Sequence, residues 1–116
     1  MLSVKACNAL QSMGYPQDDG LYYIAQEGYL GLELNPPLRR ITGGAELTFC
    51  PSEIEALDWL GKLLDGRISI QLGMVPNPDC YEFEGDFYEA APSASDLIMA
   101  VYANFKEERD ANVARL

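Results

Sequence analysis

Cys80-Tyr81-Glu82-Phe83-Glu84-Gly85-Asp86-Phe87-Tyr88-Glu89-Ala90-Ala91 runs directly into Pro92-Ser93-Ala94-Ser95-Asp96, and the fold class turns on this passage. Aromatic and acidic residues alternate from Tyr81 onward, the period of a strand with one apolar and one polar face. As one continuous strand it would place Glu82, Glu84 and Asp86 on one face and Tyr81, Phe83 and Phe87 on the other. The alternative is a strand pair folded around Glu84-Gly85-Asp86. Either way strand gives way at once to a helix, whose Leu97, Ile98, Val101, Tyr102 and Phe105 make one apolar stripe. Beyond Phe105 the helix turns polar, so residues 106–116 are expected to be a solvent-exposed helical end.

The same pattern recurs upstream. Ser3 can cap a helix that reaches about Met13 with Val4, Cys7 and Leu10 on one face, and Gly14 stops it. Leu21–Ala25 and Tyr29–Leu34 flank Gln26-Glu27-Gly28 as a hairpin, with Leu30, Leu32 and Leu34 expected on a buried side. Leu38–Thr42 and Ala45–Phe49 around Gly43-Gly44 read as a second hairpin. Ser52-Glu53-Ile54-Glu55 is a capping box opening a helix with Ile54, Leu57, Leu60 and Leu64 at helical spacing. Ile68, Ile70 and Leu72 then alternate as a one-face strand. Three helices with short strands and hairpins between them make a single α+β domain over residues 1–116, an antiparallel sheet of hairpins packed with helices in the order α-ββ-ββ-α-ββ-α. The expected core joins Leu57, Leu60, Leu64, Ile68, Ile70, Leu97, Ile98, Val101 and Phe105, with Trp59 beside it.

Charge narrows the function classes. The chain of 116 residues has 18 acids, 8 bases and no histidine, a net charge of −10. Residues 41–105 hold eleven of the acids and only two bases, Lys62 and Arg67. Such a region repels nucleic acid and anionic membrane and attracts basic protein surfaces. Without histidine the commonest general base and the commonest metal ligand are missing. No glycine loop has the spacing of a phosphate cradle or dinucleotide fingerprint, and no acid run has the spacing of a calcium loop. Cys7, Cys50 and Cys80 are far apart in sequence, which argues against a zinc site or disulfide framework and fits a reducing cytoplasm. Each is expected to be a small buried hydrophobe. No signal peptide or membrane span is expected, nor an enzymatic activity, a metal or a cofactor.

The order of motifs resembles that of small phage-encoded proteins with the phage ABA sandwich domain. Met13-Gly14-Tyr15 matches the end of their first short helix, and Ser52-Glu53-Ile54 a shortened form of their second helix cap. Tyr81-Glu82-Phe83-Glu84-Gly85 is similar to their closing strand, and Ala90-Ala91-Pro92-Ser93-Ala94 to the cap before their last helix. The Pro-rich stretch at 35–37, the glycines at 43–44 and the charged end after Phe105 depart from the pattern. The resemblance implies a phage or prophage origin and a sheet covered by helices, and brings no catalytic residues.

Asp79, Glu82, Glu84, Asp86 and Glu89 are the densest acid cluster, and Glu53, Glu55 and Asp58 add three more carboxylates. The bland explanations are strong. Acids near a helix start are favoured by its dipole, and an acid face is what a half-buried sheet shows to water. As a binding surface, these eight residues would stand in for phosphates against a basic groove, supported by strand tyrosines. The expected function is therefore a non-enzymatic acidic inhibitor of a host nucleic-acid-binding defence protein, of the anti-CRISPR or antirestriction kind, acting in the host cytoplasm. A toxin immunity protein, or an accessory domain whose charge serves solubility, are the alternatives.

Overall fold

The computed structural model describes residues 1–37, 43–75 and 78–114, with side chains as far as Asp110. Helix α1 spans Val4–Ser12, strands β1 and β2 Leu21–Gln26 and Tyr29–Leu34, and β3 Glu46–Phe49. Helix α2 (Glu53–Leu63), β4 (Arg67–Gln71), β5 (Cys80–Glu84), β6 (Tyr88–Ala91) and α3 (Ala94–Ala114) follow. The class is α+β. The strand expected over Leu38–Thr42 lies outside the described residues.

The strands form two antiparallel sheets, β2-β1-β3 and β4-β5-β6, where a single sheet was expected. The middle strand of each has both edges filled by neighbours, and α2 carries the chain from one sheet to the other. Helix α1 packs on β3 and on α3, while α3 packs on β5 and β6, so the helix pair joins the sheets. Glu27 and Gly28 both have positive φ (49° and 83°), as the two-residue turn between β1 and β2 requires. Ser3 and Ser52 cap α1 and α2, accepting from the Ala6 and Glu55 amides at 3.2 Å each.

Leu57, Leu60, Leu97, Ile98 and Val101 are buried in one core, with Leu64, Ile68, Trp59 and Phe105 packed at its margin. Leu2, Cys7, Leu10 and Phe83 complete it. One expected core residue lies outside, Ile70, which is 46% exposed, and Ile54, read as part of the apolar stripe of α2, is 80% exposed. The buried face of α2 runs through Ala56, Leu57 and Leu60, which turns Ile54 outward. Ile70 sits on edge strand β4, past the cover that the helices give, and Leu72 lies beyond the strand and is exposed. Leu30, Leu32 and Leu34 share a face with Leu21 and Tyr23 but sit on edge strand β2 and remain exposed. Alternation identified the strands correctly and could not tell a covered face from an uncovered one.

Phe83 explains two glycines. A Cβ on Gly66 would overlap its ring and come within 3.0 Å of the Glu84 carbonyl, and one on Gly85 would lie 3.0 Å from the same ring. Gly66→Ala is expected to destabilise the protein by about 1–3 kcal/mol through overpacking. Urea unfolding measures this, and a midpoint equal to the parent's would disprove the close approach.

Candidate functional site

The sheet β4-β5-β6 has two unlike faces. Ladder partners Arg67–Glu84–Tyr88 and Ser69–Glu82–Ala90 make successive rows on the outer face, with Gln71 opposite Cys80 beyond them. The inner face carries Ile68, Ile70, Tyr81, Phe83 and Ala91, and it faces the helices. Residues 80–91 thus form a hairpin and not one strand. Asp86 lies in the turn, where the Gly85 amide donates to the Phe87 carbonyl at 3.0 Å.

That turn decides the fate of the acid cluster. Glu82 and Glu84 point outward, and Asp86 sits exposed at the hairpin tip. Glu89 pairs with Phe83 and so takes the inner face, where its carboxylate accepts from the side-chain amide of Asn104 on α3. Asp79 accepts from the Gly73 amide at 2.7 Å and fastens the loop between β4 and β5. Neither is a free carboxylate on a common surface with Glu82. Their explanation is local structure.

The helix-start acids are also engaged. The Glu53 carboxylate lies 3.3 Å from the Met1 amino group. Asp58 meets Lys62 at 2.9 Å, one turn along α2. Glu55 is exposed in the first turn beside Tyr15, whose hydroxyl is pushed up first by burial and then by this carboxylate. Solvent-exposed pairs of this kind contribute little to stability. They do neutralise charge that would otherwise extend the negative surface.

On the outer face, Glu82 is the organising group. The Cys80 thiol donates to it at 3.8 Å, and Tyr88 lies near enough for the carboxylate to act on its hydroxyl. Burial, then the Glu82 carboxylate, push both the Cys80 thiol and the Tyr88 hydroxyl above their ordinary values. Glu84 stands directly across from Arg67. Arg67 was therefore a neighbour that counting acids along the sequence could not place. The ladder register shows it at once.

The cysteines bring a second surprise. Cys7 and Cys50, 43 positions apart, are both buried and free, and lie in one core cluster near enough for Cys50 to act on the Cys7 thiol. Burial first, then Cys50, pushes the Cys7 thiol up to about 12. Nothing in their spacing signalled the pairing, because it depends on α1 lying against the end of β3. Cys50 precedes α2 as expected but is shut away, with its thiol 4.0 Å from the Leu2 carbonyl. Cys80 is half-buried, unlike the fully buried residue expected. It should be the first of the three to react with a thiol reagent, and slowly at neutral pH because burial and then Glu82 oppose the thiolate.

An alkaline limit follows from the same groups. Between about pH 9 and 12 the unfolded chain loses the Cys7 proton while the folded chain keeps it, so stability falls as pH rises across that window. Tyr15, Tyr22 and Tyr23, all raised chiefly by burial, add to the fall at its upper end. Urea midpoints should drop between about pH 8 and about pH 10.5, whereas a flat profile would show the thiol to be accessible.

Among the described residues no three acids or thiols come together as a metal-binding group. No described helix is long and apolar enough to cross a membrane. No family model, curated protein or solved structure matches the chain.

Proposed function

We propose that this chain is a non-enzymatic acidic binding protein of a phage or mobile element, which inhibits a host nucleic-acid-binding defence protein by covering its basic surface in the host cytoplasm. One observation carries the reading: Glu82, Glu84 and Asp86 project from a sheet face and hairpin tip that no helix among the described residues covers, with exposed Tyr88 among them. Carboxylates a few ångströms apart on a rigid sheet can meet the Lys and Arg side chains that otherwise hold phosphates. Tyr88 supplies apolar area and a hydroxyl in the same patch, a combination common at protein interfaces. Glu55 and Asp58 of the helix-start group are exposed as well, Asp58 in its pair with Lys62.

A second reading, charge for solubility alone, is favoured by Glu53, Asp58, Asp79 and Glu89 all having partners inside the chain. An immunity protein would use the same outer face against a toxin's basic active site. Capture from a bacterial lysate on the immobilised chain separates these. The inhibitor reading expects a nucleic-acid-binding protein that duplex DNA or RNA displaces, and that elutes as salt rises through the range where exposed charges are screened. A captured toxin would establish the immunity reading, and no charge-dependent capture would leave solubility.

A further inference from the structure

On the opposite side of the acid-bearing sheet lies an apolar groove between α2 and β4. Ile54, Leu57, Asp58, Gly61, Lys62 and Asp65 line one wall, and Ile68 and Ile70 the other. The first set recurs at i, i+3, i+4, i+7, i+8 and i+11, a single helix face, so the groove follows the whole length of α2 and its C-terminal turn. Its volume is about 380 Å³, within the range of sites that hold a ligand. Gly61 keeps the wall low, since a Cβ there would sit 3.4 Å from the Gly66 carbonyl and 3.9 Å from Ile68 Cδ1. Strand β4 is an edge: it pairs with β5 on one side, and among the described residues nothing pairs with the other.

We infer that this groove docks an extended segment of a partner protein, which adds to the free edge of β4 and places alternate apolar side chains against α2. Three properties choose that occupant. An open strand edge offers unpaired N–H and C=O groups to another strand. The five residues of β4 extend over about 16 Å, matching the roughly 16 Å of helix between positions 54 and 65. Ile54 and Ile70, exposed at one end of the groove, become buried when alternate side chains of an added strand enter it. Charge then selects the flanks of the segment. Asp58 and Asp65 stand at the rim, Lys62, the only rim cation among the described residues, is held by Asp58, and the chain as a whole is at −10. Lys or Arg beside the apolar positions is favoured, and a second copy of this chain is repelled. The inference does not rest on the function proposed for the outer face, which is the other side of the sheet.

The probe is a synthetic peptide, Lys-Lys-Val-Thr-Ile-Thr-Val-Lys-Lys, titrated into the full chain and followed by amide and methyl NMR. Saturable shifts are expected in the amides of β4 and the methyls of Ile54, Leu57 and Ile70. Methylating alternate peptide nitrogens, which blocks edge pairing, should weaken binding roughly tenfold or more, and replacing the lysines by glutamates should do the same. Ile54→Ser with Ile70→Thr should lower affinity by a similar factor at an unchanged melting temperature, because both side chains are exposed in the free protein. Shifts confined to residues 82–88 would overturn the inference, as would equal binding of the N-methylated peptide. Concentration-dependent shifts in the groove without peptide would assign it to self-association instead.

Discussion

Phe83→Ala is expected to lower the unfolding free energy by about 3–5 kcal/mol, the cost of removing a buried aromatic ring and leaving a cavity. Phe83 is fully buried on β5, the central strand of its sheet. Its ring centroid lies 5.0 Å from that of Phe87, the two planes tilted by 37°, and Gly66 and Gly85 close over it without side chains of their own. The backbone on both sides is held by ladder and turn hydrogen bonds, so the space has little means of collapsing. Leu60→Ala and Val101→Ala, in the same core, should cost about 2–5 and about 1–3 kcal/mol. Since a domain this size is stable by only about 5–15 kcal/mol, the Phe83 variant should be partly unfolded at moderate urea. Denaturation midpoints at constant slope measure the ranking. A loss below about 1 kcal/mol for Phe83 would mean that the ring is not enclosed.

Reversing Glu82, Glu84 and Asp86 together to Lys should weaken binding of the captured partner by roughly a hundredfold or more, as each close charge pair at an interface is worth about 1.5 kcal/mol upward. Three attractive pairs become three repulsive ones on the same rigid face. The fold should survive, because Glu84 and Asp86 are exposed and Glu82 is only half-buried. A cost of about 1 kcal/mol is expected where a Lys replaces Glu84 opposite Arg67, since like charges in a ladder pair repel. Losing the Cys80 bond to Glu82 adds to it. Isothermal titration of partner against parent and variant, with circular dichroism for the fold, gives both numbers. Unchanged affinity in a folded variant would leave the acidity to solubility alone. The companion variant Glu53→Gln with Asp58→Asn should bind as the parent does, because both carboxylates are already satisfied within the chain.

Local rules carried the elements far. Ser3, Ser52 and Gly14 mark helix ends by chemistry that neighbours within four residues supply, and the hairpin at Glu27-Gly28 needs only its own turn. What these rules lack is the third dimension. The same alternation in Leu30, Leu32 and Leu34 as in a buried strand gives no sign that β2 is an edge whose leucines stay exposed. For the site, the three-residue turn at 85–87 carries most of the information. Had Glu82, Glu84 and Asp86 stayed on one strand, a straight ladder of charge would exist. The turn instead sends Glu89 inward to Asn104, and pairing with β4 brings Arg67 beside Glu84. Composition counted these charges correctly but could not say which of them had company.

The first helix has the last as its support. Helix α1 lies on α3, and the Ser3 amide donates to Ser95 Oγ at 2.9 Å across 92 positions of chain. A ribosome adding about 5–20 residues per second needs on the order of 5–20 s to travel that far. Throughout that interval Leu2, Cys7 and Leu10 have no α3 to pack against, and the nascent segment presents them to every chaperone and neighbouring chain it meets. Closure of the core over α1 therefore waits for α3. A stalled or prematurely released chain that stops before residue 94 would lack the surface on which α1 packs, and should be cleared by proteolysis while a chain that includes α3 persists.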